Sequence, residues 1–368
     1  MAGAFQIGRL FGVDIRIHFS WLFIFALVAW SLATTFLPDN YPSDEFPNWT
    51  TGAYWGIGIA ASALLFASVL VHEMAHSLVA ISRGHAVHSI TLFFLGGVSQ
   101  IEDEAKDAGE EFVISVVGPL TSLALFGIFL GVFYFASDGS LLEGLTRYLF
   151  IANALVAGFN MIPAFPLDGG RVLKALVWRA TGSETRAITV SSVTGTLFGY
   201  GMIGLGVLAV FTTSLVTGLW FIFIGWFIQS AAGSVRRQEA VESALSGKTV
   251  RDAMREEAYP VIPPGTTVQN LVDSYITREF ERAYIVQLGD TFGGLVTLND
   301  VKKIPQDKWS QTWVTEAMTR AEQVVTVSPS DNLEQALNLL VQHGFHQLVV
   351  MKDGKPEGLL TRGDVLRV

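Results

Sequence analysis

The residues His72-Glu73-Met74-Ala75-His76 place two imidazoles and a carboxylate within five positions of an otherwise apolar run. On a helix, positions i and i+4 stack on one face, so His72 and His76 can grip one metal ion while Glu73 is held beside it. That is the geometry of a zinc hydrolase. Its setting is a membrane: residues 54–71, YWGIGIAASALLFASVLV, are eighteen positions without a formal charge, and apolar character resumes after His76. An ionisable group at membrane depth costs at least ~2.5 kcal/mol and marks a functional site by default. An accidental copy of the motif belongs on a polar segment, and this one is not on a polar segment.

Two histidines leave such a site incomplete, because catalytic zinc takes three protein ligands and a water. The best source of a third is Asn160-Met161-Ile162-Pro163-Ala164-Phe165-Pro166-Leu167-Asp168-Gly169-Gly170-Arg171. Pro163 and Pro166 break the helix there and Gly169-Gly170 permits a sharp turn, so the Asp168 carboxylate can be aimed inward. Read by itself, Asp168 can equally cap a helix that starts near Arg171.

The elements that must position these groups are membrane spans. Half of the 368 residues are hydrophobic, only 15% are charged and the mean hydropathy is +0.43. The apolar excess ends near residue 235, so a polytopic α-helical membrane domain is followed by a soluble part. Six stretches are long enough to cross, at 19–37, 55–81, 112–136, 148–164, 190–211 and 215–232. The fourth is interrupted by Asn153, Asn160 and Pro163.

Basic residues cluster before the first span (Arg9, Arg16) and after the second (Arg83), fourth (Arg171, Lys174, Arg179, Arg186) and sixth (Arg236, Arg237). By the positive-inside rule both termini are cytoplasmic. The acidic loop 102–111, with Lys106 as its single basic residue, is the discordant segment. His76 lies seven residues before Arg83, which sets the metal about 10 Å inside the cytoplasmic boundary. Water must then arrive from one side. No cleavable signal peptide is evident in residues 1–14. A net charge of −9 argues against nucleic acid as a partner, and the absence of cysteine excludes disulfides, thiolate zinc sites and cysteine nucleophiles.

After Arg83-Gly84 the pattern changes. Residues 87–95 are β-branched and aromatic, Gly96-Gly97 is a turn signal, and 98–101 continues the pattern, so a short β-hairpin is expected near the cytoplasmic interface. Open strand edges are not tolerated against lipid, so the hairpin should line a cavity or a protein groove.

Jointly, His72-Glu73-Met74-Ala75-His76 and Asn160…Pro166-Leu167-Asp168-Gly169 resemble the site-2 protease family of intramembrane zinc metalloproteases. The resemblance extends to Gly96-Gly97-Val98, to Gly118-Pro119 in the third span and to the Arg-x-His-x-Ser-Trp run at Arg16–Trp21, over roughly residues 1–235. It implies that His72, His76 and Asp168 bind one Zn2+ and that Glu73 activates the water. It further implies that Asn160 helps bind substrate or stabilise the oxyanion, and that the Gly96-Gly97 hairpin engages substrate as a strand. The third span departs from the family in lacking an asparagine shortly after Gly-Pro, where only a local change in helix contacts is expected. The substrate implied is a membrane-anchored protein, such as an anti-sigma factor, a membrane-bound regulator or a remnant signal peptide, in a prokaryotic cell membrane.

From Thr249 onward the chain repeats itself. Val250-Arg251-Asp252-Ala253-Met254 matches Val314-Thr315-Glu316-Ala317-Met318, and the segment ending at Asp300 matches the one ending at Asp364, both at an offset of 64 residues. Two copies of strand, helix, strand, strand, helix make a paired pseudo-symmetric module rather than a solenoid. It resembles a tandem CBS-domain pair, with domains over 249–306 and 307–368 joined to the membrane domain, 1–235, by a polar linker, 236–248. In that family the Gly-x-x-Thr-x-x-Asp segment contacts adenine nucleotides (ATP, ADP or AMP), which nominates Thr297, Asp300, Thr361 and Asp364. Many such pairs form homodimers, and Thr-x-x-Asp is also a plain helix start. The rival reading of the whole chain is a CBS-gated metal transporter or channel, in which the same four residues of the membrane part would carry an ion. Glu73 discriminates, because a hydrolase needs a base beside the metal that does not ligate it.

Overall fold

The computed structural model describes residues 3–94, 96–101, 105–254, 261–277, 283–289 and 291–367. It divides into two compact units, Met1–Glu239 and Ala240–Val368.

The first unit opens with two strands, β1 (Ala4–Leu10) and β2 (Val13–His18), and then the helix α1, Phe19–Asn40. The motif helix α2 (Thr51–Ser82) follows, then β3 (Val87–Phe93) and β4 (Gly96–Ile101). Four more long helices are α3 (Ala108–Phe135), α4 (Leu141–Asn160), α6 (Glu184–Thr212) and α7 (Leu215–Leu245). A shorter amphipathic helix, α5 (Asp168–Thr181), lies between α4 and α6. Six of these helices are long and apolar enough to span a membrane, and α5 is not among them.

Capping explains where the helices start. The Thr50 hydroxyl accepts from the Ala53 amide at 3.3 Å to begin α2, and the Asp107 carboxylate accepts from Gly109 and Glu110 at 2.8 and 3.0 Å to begin α3. Ser140 caps α4 through the Glu143 amide, so that helix begins at Leu141 instead of 148 and ends at Asn160, before Pro163. Polarity had hidden its first turns. The polar linker is mostly helical, because α7 continues past the apolar span to Leu245.

The β-hairpin expected at 87–101 is one half of a four-stranded sheet in the order β1-β2-β3-β4. Gly96 and Gly97 lie within β4 instead of forming the turn, paired with Phe93 and Leu92; Leu95 lies outside the described residues. The central pair β2/β3 is parallel, with Ile15 opposite Ile90, and both outer pairs are antiparallel. The alternation Val13-Asp14-Ile15-Arg16-Ile17 carries the period-2 signal for β2. Val13, Ile15, Val87 and Ile90 form one core with Met74 and Ala80 of α2 and Ile114 of α3, which fastens the sheet to the motif helix.

In the second unit the internal repeat is structural. Strand β6 (Ala283–Leu288) recurs 64 residues later as β10 (Gln347–Lys352), and β7 (Thr291–Thr297) as β11 (Lys355–Thr361). One sheet runs β5 (Val261–Ile262)-β6-β7-β8 (Thr319–Arg320), the other β11-β10-β9 (Thr326–Val327). The apolar cores interlock the copies: one, around Tyr284 and Val296, takes in Val314 of the second copy, another, around Val350 and Leu360, takes in Val250 and Met254 of the first, and a third joins Ile285 to Val349.

Candidate metal centre

Helix α2, which carries His72 and His76, is packed against α3 and α4. His72 and His76 are 3% and 4% exposed, so their polar atoms must find partners inside the protein. His76 Nδ1 donates to the Ile114 carbonyl at 2.6 Å. Because that carbonyl only accepts, the proton sits on Nδ1 and Nε2 presents a lone pair. His72 Nδ1 is hydrogen-bonded to Ser122 Oγ at 2.9 Å. Both rings are therefore held from behind with Nε2 facing forward, and a hydrogen bond on the rear nitrogen is what orients a metal-ligating histidine.

Asp168 completes the set. Its Oδ2 lies 3.1 Å from His72 Nε2 and 3.3 Å from His76 Nε2, and the two Nε2 atoms are 3.2 Å apart. Among the described residues these three side chains offer ligand atoms that all lie within 4.8 Å of one another. The helix-cap reading of Asp168 is set aside: the N-cap of α5 is Leu167, with no side-chain cap bond, and Asp168 is the first helical residue. The loop before it folds back tightly, with Ala164 N bonded to Ile162 O and Leu167 N to Ala164 O. Arg171, one turn into α5, donates through Nε to Glu111 Oε1 at 2.9 Å and pins α5 to α3.

The donor set fits a divalent cation. A lone pair on His76, an imidazole nitrogen of His72 and a carboxylate oxygen face one another, and close acceptors need positive charge between them. Space is kept as well: a Cβ at Gly118 would lie 2.6 Å from His72 Nε2 and closer still to His76 Nε2. Two imidazoles and one carboxylate are a donor set of catalytic zinc sites.

Glu73 stands outside the cluster, on the side of the sheet. Ser99 Oγ on β4 donates to Glu73 Oε2 at 2.9 Å, and Ser77 Oγ lies 3.3 Å from Ser99 Oγ. Along β4, Gly97, Ser99 and Ile101 are partly buried while Val98 and Gln100 are exposed. A Cβ at Gly97 would collide with the Glu73 side chain. Asn160 is the last residue of α4, partly buried, and is not one of the converging groups. Ser99, Ser122 and the Ile114 carbonyl were not singled out by their sequence context; only the spacing of Ser122, four residues after Gly118 on the same helix face, hinted at a role.

Sequence comparison sets this geometry in a family. Residues 60–148 and 140–202 match the family described as Peptidase family M50. Relatives named "Putative zinc metalloprotease" span nearly the whole chain. The one from Synechocystis sp. is 33% identical over 373 residues, covering 98% of this chain and 94% of its own. The one from Mycobacterium tuberculosis is 33% identical over 378 residues, covering 100% of this chain and 93% of its own. The chain belongs to peptidase family M50. A solved site-2 protease from Methanocaldococcus jannaschii is 26% identical to this M50 peptidase, covering 64% of it and 95% of the solved chain at a TM-score of 0.44. Residues 314–368 of the M50 peptidase match the CBS domain.

The second unit holds a cleft of about 620 Å³ lined by Thr297, Asp300, Lys302, Lys303, Thr319 and His346, among others. Thr297 and Asp300 also form a capping box, with Asp300 N donating to Thr297 Oγ1 at 3.3 Å and Thr297 N donating to Asp300 Oδ2 at 3.1 Å, and Thr297 Oγ1 donates to Asp300 Oδ2 as well, at 2.6 Å. Thr361 and Asp364 repeat that box, and Asp364 is 4% exposed. Both helix-start readings are thus realised, while Thr297 and Asp300 also face a cleft.

Proposed function

We propose that this M50 peptidase is an intramembrane zinc metalloprotease that hydrolyses a peptide bond within or near the transmembrane segment of a membrane-anchored protein. The observation that carries this is the convergence of His72 Nε2, His76 Nε2 and Asp168 Oδ2, with Glu73 adjacent but outside the cluster. His72, His76 and Asp168 would hold the Zn2+. When bound, zinc supplies Lewis acidity, lowering the pKa of water towards ~7 and polarising a carbonyl.

The chain's own residues do the rest. Glu73 takes a proton from the attacking water and returns it to the leaving amine. Ser99 fixes which way the Glu73 carboxylate points. A transmembrane substrate hides its carbonyls in helical hydrogen bonds and must unwind locally before cleavage. β4 is an edge of the sheet and abuts Glu73 through Gly97. Pairing an unwound segment with that edge, at Gly96 and Gly97, would satisfy the freed backbone groups. Asn160, at the end of α4 just before the loop that delivers Asp168, is assigned to substrate or oxyanion binding by its match to the family motif.

In the second unit, the cleft at Thr297 and Asp300 supports adenine nucleotide binding that modulates cleavage, with Thr361 and Asp364 as its pseudo-symmetric counterpart. Lys302 and Lys303 supply positive charge there for phosphate. We assign the module to homodimerisation as well, and both termini to the cytoplasm from the arginine and lysine distribution.

The deciding experiment compares wild type with Glu73→Gln in detergent, measuring bound zinc and cleavage of a single-span membrane substrate. Cleavage by wild type alone with zinc in both supports the protease and the role of Glu73. Zinc flux into liposomes without cleavage would instead establish an ion carrier. Calorimetry of the full chain with ATP, ADP and AMP tests the nucleotide reading, which fails if none binds.

A further inference from the structure

The hairpin β1/β2 has an apolar face that its own core does not cover. Cross-strand partners share a face of a sheet, and Phe5 pairs with Ile17, Gly8 with Ile15 and Leu10 with Val13. The β2 members of these pairs, Val13, Ile15 and Ile17, are 0%, 2% and 9% exposed. Their β1 partners are not covered: Phe5 is 51% and Leu10 48% exposed. β1 is the outer strand of the sheet, so this face runs past the edge of the core. The turn adds Phe11, 74% exposed at φ +49°, followed by Gly12 at φ +86°, a two-residue connection that presents its first side chain outward. The opposite face is polar: Gln6 pairs with Arg16 and Arg9 with Asp14, and Asp14 lies 3.5 and 3.6 Å from Arg9 and Arg16.

We infer that this hairpin is an interfacial membrane contact, with the Phe5, Leu10 and Phe11 side chains reaching the headgroup–acyl boundary while the free backbone edge of β1 stays at the hydrated headgroup level. Arg9 and Arg16 then lie at the level of anionic headgroups. Two features select lipid. First, β2 ends at His18 and α1 begins at Phe19 with no linker, and Phe19, Leu22 and Phe23 are 65%, 55% and 70% exposed, so the hairpin continues the lipid-facing surface of a span. Aromatic and arginine side chains together are the composition of such an interface. Second, pairing of a second copy along β1 is opposed by the register shift between Gln6 and Gly8 and by Arg9 on the free strand, both devices that blunt an edge.

The absence of cysteine makes the test direct. The single variants Phe5→Cys, Phe11→Cys, Gln6→Cys and Arg16→Cys are each labelled with an environment-sensitive fluorophore. The full chain is then reconstituted in vesicles of phosphatidylcholine and phosphatidylglycerol. Labels at 5 and 11 should emit at shorter wavelength, be quenched several-fold more by lipids spin-labelled on the acyl chain, and be shielded from aqueous iodide. Labels at 6 and 16 should behave in the opposite way. Equal iodide access at all four positions overturns the inference. So does shielding at 5 and 11 that is indifferent to spin-labelled lipid and falls as protein is diluted into more lipid, which would make the face a contact between copies.

Discussion

At the scale of single residues, the centre depends on groups that hold the reactive ones in place. Ser99 Oγ gives Glu73 Oε2 a hydrogen bond to an ionised partner, worth about 1.5–3 kcal/mol. Ser99→Ala is therefore expected to lower kcat roughly tenfold or more, with KM and zinc content unchanged, and Ser99→Thr to restore most of it. Equal zinc content with equal kcat in Ser99→Ala and wild type would remove Ser99 from the site. Gly118 makes a sharper case. A methyl group there would occupy the space in front of both Nε2 atoms, so Gly118→Ala should lose zinc, measured by metal analysis, while the helix it sits in is stabilised slightly by propensity. Retention of zinc in that variant would show that His72 and His76 can retreat without losing their back-side bonds to Ser122 and Ile114.

At the scale of elements, the α2–sheet contact joins the motif helix to the edge strand β4. The hydrophobic core of Val13, Ile15, Val87 and Ile90 against Met74, Ala80 and Ile114 sets the height of β4 on α2, and hence puts Gly97 and Ser99 opposite Glu73. If substrate adds to the free edge of β4, proline at the exposed Val98 should impair cleavage of a transmembrane substrate, because proline removes a ladder donor. Zinc binding should be untouched, since β4 contributes no member of the metal cluster. Cleavage at the wild-type rate by Val98→Pro would show that substrate is held elsewhere. Position 98 is chosen because its side chain points away from α2, which keeps the effect on the core small.

At the scale of the whole molecule, the two units have separate cores and separate sensitivities. Burial pushes the Asp300 carboxyl up, but hydrogen bonds from Thr297 and Lys303 outweigh it and hold its pKa below the ordinary 3.8. A carboxyl with a lowered folded pKa contributes stability that is fully present above 3.8 and is lost as pH falls through the folded value. Protection of the β6 and β7 amides, corrected for the intrinsic exchange rate at each pH, should therefore fall on acidification below that point. Asp300→Asn should lower that protection at neutral pH and flatten its acid dependence. An unchanged acid profile in the variant would mean that other carboxyls govern this unit. The same variant should weaken nucleotide binding if the cleft is the nucleotide site.

Local order in the chain was enough to mark the motif helix, the apolar spans, the strand character of 87–101 and the 64-residue repeat, because each of these is a periodicity or spacing that the backbone converts directly into geometry. His72 and His76 had to share a helix face whatever the rest of the chain did. Packing decided the remainder. Asp168 was open to two readings in sequence, as a cap or as a ligand, and only the fold of α5 against α3 sent its carboxylate across 96 residues of chain to His72. The same holds for Ser99, Ser122 and the pairing of β2 with β3, which are contacts between segments distant in sequence. No local pattern specifies such contacts; they follow from how apolar faces of separate elements are buried together.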